Sequence, residues 1–137
     1  EQKRYPEAKA RFEQASKDNL YPERARVFEN LGMTALMMNE RAEAKAYFER
    51  ALRLDVRQAR ALLEMAELSY EDKNYVQART YYDSYVAVSE ENARSLLLGS
   101  RLATIFDDRD KAASLGLQLK RLYPGTPEYQ QYVLEHR

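Results

Sequence analysis

The sequence has no cysteine and one histidine, His136, which stands next to the last of its 137 residues. Without cysteine the chain forms no disulfide, holds no thiolate-bound zinc and uses no thiol nucleophile. A single histidine rules out a multi-histidine metal site, and a position so close to the chain end, where ends fray, is unsuited to a catalytic triad. Most enzyme chemistry is excluded in this way. We therefore predict that the chain is not an enzyme and has no cofactor site and no metal site.

Glycine and proline are also scarce, with four of each, whereas alanine, leucine, glutamate and arginine are abundant. Residues of the abundant types lose little side-chain freedom in a helix, so the composition favours an all-α fold. The 22 basic residues equal the 22 acidic residues, which leaves no net field to attract nucleic acid or an anionic membrane. No apolar run approaches the roughly 20 residues that span a bilayer. We expect no nucleic-acid partner and no membrane insertion by this segment.

A triplet of residues with fixed internal spacing recurs along the chain. Its four copies are Ala8, Phe12 and Ala15; Ala44, Phe48 and Ala51; Ala78, Tyr82 and Tyr85; and Ala112, Gly116 and Leu119. The last three copies are 34 residues apart, and the first precedes them by 36. A period of about 34 residues is that of the tetratricopeptide repeat, a helix-turn-helix unit. The small residue lets two helices approach, and the large residue one turn further on fills the gap.

Helices are predicted between short polar junctions such as Asn39-Glu40, Lys73-Asn74 and Asp107-Asp108. The predicted helices are 6–18, 23–38, 41–54, 57–71, 75–88, 92–106 and 109–122. Together they predict an all-α tetratricopeptide repeat solenoid of antiparallel helix hairpins with a C-terminal capping helix. As one array over 1–137, it comprises a half repeat at about 1–22, repeats at about 25–58, 59–92 and 93–126, and a capping helix at about 127–136. The chain opens on a second helix without its first, so we expect the native protein to extend further toward its N-terminus.

The capping helix is predicted from Thr126 as N-cap, Pro127 in the first helical position and an acid in the first turn. Gly116 stands where the other repeats carry an aromatic residue. We expect the capping helix to lie close over this glycine, with Tyr129 or Tyr132 supplying the missing volume. The alternative is that the helix merely tolerates a glycine there.

Several stretches are more particular than the repeat pattern. They are 20–24 (LYPER), 74–79 (NYVQAR), 93–101 (ARSLLLGSR), 108–114 (DRDKAAS), 117–121 (LQLKR) and 123–129 (YPGTPEY). Together they resemble the type IV pilus biogenesis and stability lipoprotein, the pilotin of the pilus secretin, in its C-terminal portion. The resemblance covers essentially the whole chain and is most specific from about Ala93 to Tyr129.

This resemblance implies a protein at the periplasmic face of the bacterial outer membrane, anchored by a lipidated cysteine upstream of the present segment. It implies that the protein partner is the pilus secretin, whose delivery to that membrane and multimerisation it assists. The alternative function is a generic tetratricopeptide adaptor or scaffold for an unrelated protein complex. A third hypothesis is that the repeats regulate an enzyme fused upstream.

The first helices of tetratricopeptide repeats line the concave surface, so their non-core positions are the expected contacts for a partner. The predicted protein-binding residues of this groove are Arg26, Glu29, Asn30, Met33, Met37, Arg60, Glu64, Glu67, Arg94 and Arg101. Asn30, Met33 and Met37 share one helix face, where an amide beside two adaptable thioethers suits an extended or helical ligand. The alternative is that the two methionines are ordinary packing residues.

The neighbouring acids Glu64 and Glu67 would suggest acid–base chemistry, but no other catalytic group accompanies them. We interpret them as a solvated acidic face, which could also attract basic residues of a ligand. Leu97 and Leu98 in the last full repeat are expected to be core residues rather than contacts.

Overall fold

A computed structural model describes residues 21–137, and within this range the chain forms seven helices and no strand. The helices are α1 (Tyr21–Met37), α2 (Arg41–Leu54), α3 (Ala59–Glu71), α4 (Tyr75–Val88), α5 (Ala93–Ile105), α6 (Arg109–Leu122) and α7 (Pro127–Glu135). The predicted helix 6–18 and the first triplet lie outside the described residues. Two compact units can be distinguished, one ending at Leu68 and the other beginning at Ser69.

The predicted all-α hairpin architecture is confirmed, and the helices α2, α4 and α6 have the predicted ends. Side-chain caps explain several of these boundaries. Asn74 and Asp108 accept backbone N–H bonds at the starts of α4 and α6. Asn92 and Ser95 form a reciprocal capping box at the start of α5. Each cap satisfies a donor that has no partner inside its own helix.

The turns within the three hairpins share one backbone conformation. Asn39, Lys73 and Asp107, spaced 34 residues apart, have φ values of 60°, 63° and 60°. In each turn the following residue donates its backbone N–H to a carbonyl five positions earlier, at 2.8 to 2.9 Å. This bond closes the helix end in the manner of a Schellman motif. The predicted 34-residue period is therefore present in the backbone as well as in the side chains.

In the first unit, α1 and α2 pack through an aromatic ring that lies against a glycine. Ala44, Phe48 and Ala51 of α2 are completely buried. A Cβ atom on Gly32 of α1 would lie only 2.5 Å from Cε1 of the Phe48 ring. The ring thus occupies space that any other residue at position 32 would fill. This contact fixes how closely the two arms of the hairpin approach.

In the second unit, Tyr82 of α4 makes a comparable contact with Gly99 of α5. A Cβ atom on Gly99 would collide with the Tyr82 hydroxyl and would lie 2.9 Å from Cδ1 of Leu115. The Tyr82 hydroxyl donates to Oε1 of Glu91 at 2.6 Å. Burial, together with this hydrogen bond, raises the pKa of Tyr82, so the phenol stays neutral in its packed position.

The last helix, α7, covers Gly116 of α6 as the sequence predicted, and Tyr132 supplies the missing volume. A Cβ atom on Gly116 would lie 2.8 Å from Cε1 of Tyr132 and closer still to its hydroxyl. Tyr129 and Tyr132 pack against a buried leucine cluster of α5 and α6. The predicted start of α7 is also confirmed, because Thr126 accepts the backbone N–H of Tyr129 at 3.2 Å.

We expect Phe48→Ala to lower the free energy of unfolding by about 3–5 kcal/mol, because it leaves a cavity against Gly32. Ala44→Leu should cost about 1–3 kcal/mol through overpacking at the helix crossing. Denaturant titrations followed by circular dichroism measure both changes. The control is Val56→Ala, since the Val56 side chain is exposed and its loss should change stability by less than about 0.5 kcal/mol. Wild-type midpoints for both core variants would contradict the assigned packing.

Gly116→Ala tests the contact with Tyr132. At an open helical site, replacing glycine by alanine stabilises by roughly 0.5–1 kcal/mol. Here we expect a loss of about 1–2 kcal/mol, because the new methyl group displaces the Tyr132 ring. In a Tyr132→Ala background the same change should become stabilising. A double-mutant cycle from urea melts measures this reversal of sign, and equal effects in both backgrounds would rule out the contact.

Candidate functional site

Four of the predicted groove residues lie along one side of α1. Arg26, Asn30, Met33 and Met37 are spaced by three or four residues, which places them on successive turns of the same face. Arg26 is exposed, Asn30 and Met33 are half-buried, and Met37 is 62% exposed. The face therefore presents a guanidinium group, an amide and at least one accessible thioether. Such a surface can bind a polypeptide through both polar and adaptable apolar contacts.

Glu29, on the same helix, has a different role from the one expected. It is only 5% exposed, and its Oε2 accepts the backbone N–H of Ala61 at 2.8 Å. Ala61 is the third residue of α3, so this carboxylate caps the start of that helix and faces the positive end of its dipole. The placement of Glu29 among the non-core positions is wrong, because the carboxylate stabilises the packing of α1 against α3 within the first unit.

On α3 the three predicted residues differ in their accessibility. Arg60 is exposed, Glu67 is half-buried, and Glu64 is 8% exposed. The interpretation of Glu64 as part of a solvated acidic face is therefore wrong. Residues 61–66 are all buried, so this stretch of α3 is enclosed on every side rather than along one stripe.

In the second unit Arg94 and Arg101 are both half-buried. Arg101 of α5 forms a two-pronged ion pair with Glu135 of α7, with 3.1 Å between Nε and Oε1 and a second close contact between Nη2 and Oε2. Its guanidinium carbon also lies 5.7 Å from the centre of the Tyr70 ring. Leu97 and Leu98 are buried, which confirms the prediction that they are core residues. Arg101 thus holds α7 onto α5, and its role as a contact for a partner stays a prediction.

A cleft in the second unit was not predicted from the sequence. It has a volume of about 420 Å³ and is lined by residues of α4, α5 and the start of α6, including Arg79 and Phe106. These two side chains are in contact although they stand in different repeats. The sequence could have indicated the cleft only through an aromatic residue at the end of α5, where the other hairpins have no ring.

Within residues 21–137, no group of three or more histidine, aspartate or glutamate side chains is arranged to hold a metal ion. Every helix in the same range is too short or too polar to cross a bilayer.

The Arg101–Glu135 ion pair predicts a pH dependence of stability. The hydrogen bond from Arg101 lowers the pKa of Glu135 from its ordinary value of 4.5. A lowered pKa in the folded state contributes stability above the ordinary value, and this contribution is lost as the pH falls through the folded value. We expect Glu135→Gln to cost about 0.5–1 kcal/mol at neutral pH, since both side chains are partly exposed.

The difference between wild type and Glu135→Gln should vanish in acid. Urea melts from neutral pH down to well below 4.5 measure the difference at each step. Glu90→Gln serves as the control, because Glu90 makes no ion pair with any residue of the described range. A difference that stays constant with pH would show that the ion pair does not stabilise the fold.

Comparison with known proteins gives three results. Residues 30–95 match the family model for the tetratricopeptide repeat. The chain is 59% identical over 135 residues to the type IV pilus assembly protein PilF of Pseudomonas aeruginosa. That match covers 98% of this chain but 54% of the relative, so the chain spans about half the length of the curated protein it matches.

Solved structures agree with the fold. The structure of Pseudomonas aeruginosa PilF has a TM-score of 0.92 and 59% identity, over 98% of this chain and 60% of that one. The type IV pilus biogenesis factor PilW has a TM-score of 0.73 and 26% identity, over 96% and 60% of the two chains. YrrB, a tetratricopeptide protein, has a TM-score of 0.72 at 18% identity, over 82% and 57%, and supports the fold alone.

The prediction that the chain is not an enzyme agrees with these likenesses, since the relatives are described as a type IV pilus assembly protein and a type IV pilus biogenesis factor. The repeat period, the hairpin packing and the matching family model lead to one conclusion. The described part of the chain has the tetratricopeptide repeat fold, and over nearly its whole length the chain is similar to a type IV pilus assembly protein.

Proposed function

We propose that the chain is a protein-binding scaffold of type IV pilus assembly. The observation that carries this proposal is the 59% identity to PilF over 98% of the chain, together with the TM-score of 0.92. Identity at this level over seven helices preserves surface residues as well as the core. A tetratricopeptide fold supports a binding role, since its stacked hairpins present helix faces to a ligand.

We further propose that the partner is the pilus secretin, and that the protein assists its outer-membrane localisation and its multimerisation. The stretches of sequence that resemble the secretin pilotin support this partner, and they extend across the described helices from α1 to α7. The same resemblance supports a location at the periplasmic face of the outer membrane, with a lipid anchor upstream of this segment.

The surface that we propose for the secretin centres on α1. Asn30 offers both a donor and an acceptor, which suits the backbone of a bound segment. Met37 is exposed and Met33 is half-buried, so the two thioethers can adapt to apolar side chains of that segment. Arg26 provides a charge at the same face. The remaining predicted contacts contribute less apolar surface, and Glu29 and Glu64 are mostly enclosed.

Variants of α1 test this surface. Asn30→Ala should weaken the binding of purified secretin fragments roughly three- to tenfold, which corresponds to the loss of one hydrogen bond. Met33→Ala combined with Met37→Ala should weaken binding further if the thioethers touch the partner. Titration calorimetry measures affinity, and thermal melts of the same samples separate a binding defect from a folding defect.

Matched controls remove the same chemical groups elsewhere. Gln118→Ala deletes an exposed amide on α6, and Val86→Ala shortens an exposed apolar side chain on α4. Neither should alter the affinity. If the methionine variant instead melts at a lower temperature and binds normally, the two methionines are packing residues. Full-strength binding by a folded triple variant would place the secretin contact outside α1. Capture of a different partner from envelope extracts by the full-length protein would instead favour the generic adaptor function.

A further inference from the structure

The cleft of the second unit has the features of a second binding site, apart from the surface proposed on α1. Its lining includes Arg79, Asp83, Leu102, Ala103, Phe106 and Lys111. Its charged lining residues stand on α4 and at the start of α6, and its α5 residues, Gly99, Leu102 and Ala103, are apolar. Its volume of about 420 Å³ exceeds what a single carboxylate group needs and matches an amino-acid side chain with some of its backbone.

Arg79 is held in place by an aromatic ring. Its guanidinium carbon lies 3.7 Å from the centre of the Phe106 ring, which is close enough for a cation–π contact. Such stacking keeps the planar guanidinium in a fixed orientation and leaves its N–H edge accessible. Among the residues that the structure describes, Arg79 has no hydrogen bond and no ion pair. Its side chain therefore offers an ordered fork of donors without an acceptor.

The other charges of the cleft already have partners. Nζ of Lys111 lies 3.9 Å from Oδ1 of Asp83 and 5.7 Å from the centre of the Tyr82 ring. Asp108 accepts the backbone N–H of Lys111 at 3.2 Å, which caps α6. These contacts leave the positive charge of Arg79 as the one that a ligand has to complement.

We propose that this cleft binds a glutamate or aspartate side chain on a segment of a protein partner. The carboxylate pairs with the guanidinium of Arg79, where two parallel hydrogen bonds are the favoured geometry. The aliphatic part of the acidic residue and its neighbours pack against Leu102 and Ala103 of the lining. The inference goes beyond the proposed function, because it assigns a site and a ligand chemistry that do not depend on which protein is the partner.

Nuclear magnetic resonance of the chain tests the proposal directly. The probe is a blocked five-residue peptide, Ala-Leu-Glu-Leu-Ala, and its counterpart has glutamine in the central position. We expect the glutamate peptide to cause saturable shifts of the Arg79 Nε–H signal and of the backbone amides of Leu102 and Ala103. The glutamine peptide should bind at least about fivefold more weakly, because a neutral amide loses the charge-assisted bonds.

Variants of the stacked pair sharpen the test. Arg79→Gln should weaken binding of the glutamate peptide at least about tenfold, and Arg79→Lys should retain part of the affinity because it keeps the charge without the planar fork. Phe106→Leu should also weaken binding, since it removes the ring that orders the guanidinium. Arg121→Gln is the control, because it removes an exposed charge of the same unit that is not part of the cleft lining. Thermal melts verify that each variant is folded.

Three outcomes would overturn the proposal. If Arg121→Gln weakens binding of the glutamate peptide as much as Arg79→Gln does, the peptide is attracted by charge in general. If the peptide causes no saturable resonance shifts, the cleft does not bind it. Acetate binding as tightly as the peptide would indicate a site for small anions rather than for a protein segment. The α1 variant with Asn30, Met33 and Met37 replaced should bind the peptide normally, so failure of this site and failure of the proposed secretin surface can be distinguished.

Discussion

The packing of both units depends on aromatic rings that occupy the space left by a missing Cβ atom. The three pairs are Gly32 with Phe48, Gly99 with Tyr82, and Gly116 with Tyr132. An aromatic ring is rigid, and a glycine lets the ring pack directly against the helix backbone. Each pair therefore fixes the distance between its two helices. Alanine at any of these glycines would force the ring away. The helix faces that remain at the surface are therefore determined by these contacts.

At the last pair, the ring and the glycine exchange positions. In the first two pairs the ring stands on the second helix of a hairpin, as Phe48 on α2 and Tyr82 on α4. At the last pair the glycine, Gly116, stands on the second helix α6, and the ring is Tyr132 of α7. The space between the helices is still filled by an aromatic ring, although the residue at the repeat position of Phe48 and Tyr82 is a glycine. A break in the sequence repeat can thus leave the packing intact.

The helices, their turns and the role of Tyr132 could be predicted because they depend on local or periodic patterns. The 34-residue spacing places each triplet on a second helix, and a glycine in place of Phe48 or Tyr82 requires compensation from whatever packs next to it. Polar contacts were harder to predict. Glu29 bonds to Ala61 across 32 residues, and nothing in the chain near Glu29 indicates that it is buried.

The candidate sites differ in the same way between features set by local spacing, which could be predicted, and contacts between distant residues, which could not. The face of α1 could be predicted, because Asn30, Met33 and Met37 follow helical spacing. The cleft could not, because it depends on Arg79 and Phe106 meeting across two helices. Arg101 was predicted as a contact residue, but its ion pair with Glu135 depends on how α7 lies against α5. A long charged side chain has many possible partners, and only the packed structure selects one.

The three hairpin turns have a consequence for how the protein can change over evolution. Asn39, Lys73 and Asp107 are exposed and left-handed, and none of them is glycine. A left-handed backbone costs an ordinary L-residue about 1–2 kcal/mol, and less for asparagine or aspartate. Lys73 therefore carries the largest strain of the three. The molecule retains room to gain stability in its turns, where side chains point to solvent, and this reserve can offset destabilising changes on its binding surfaces.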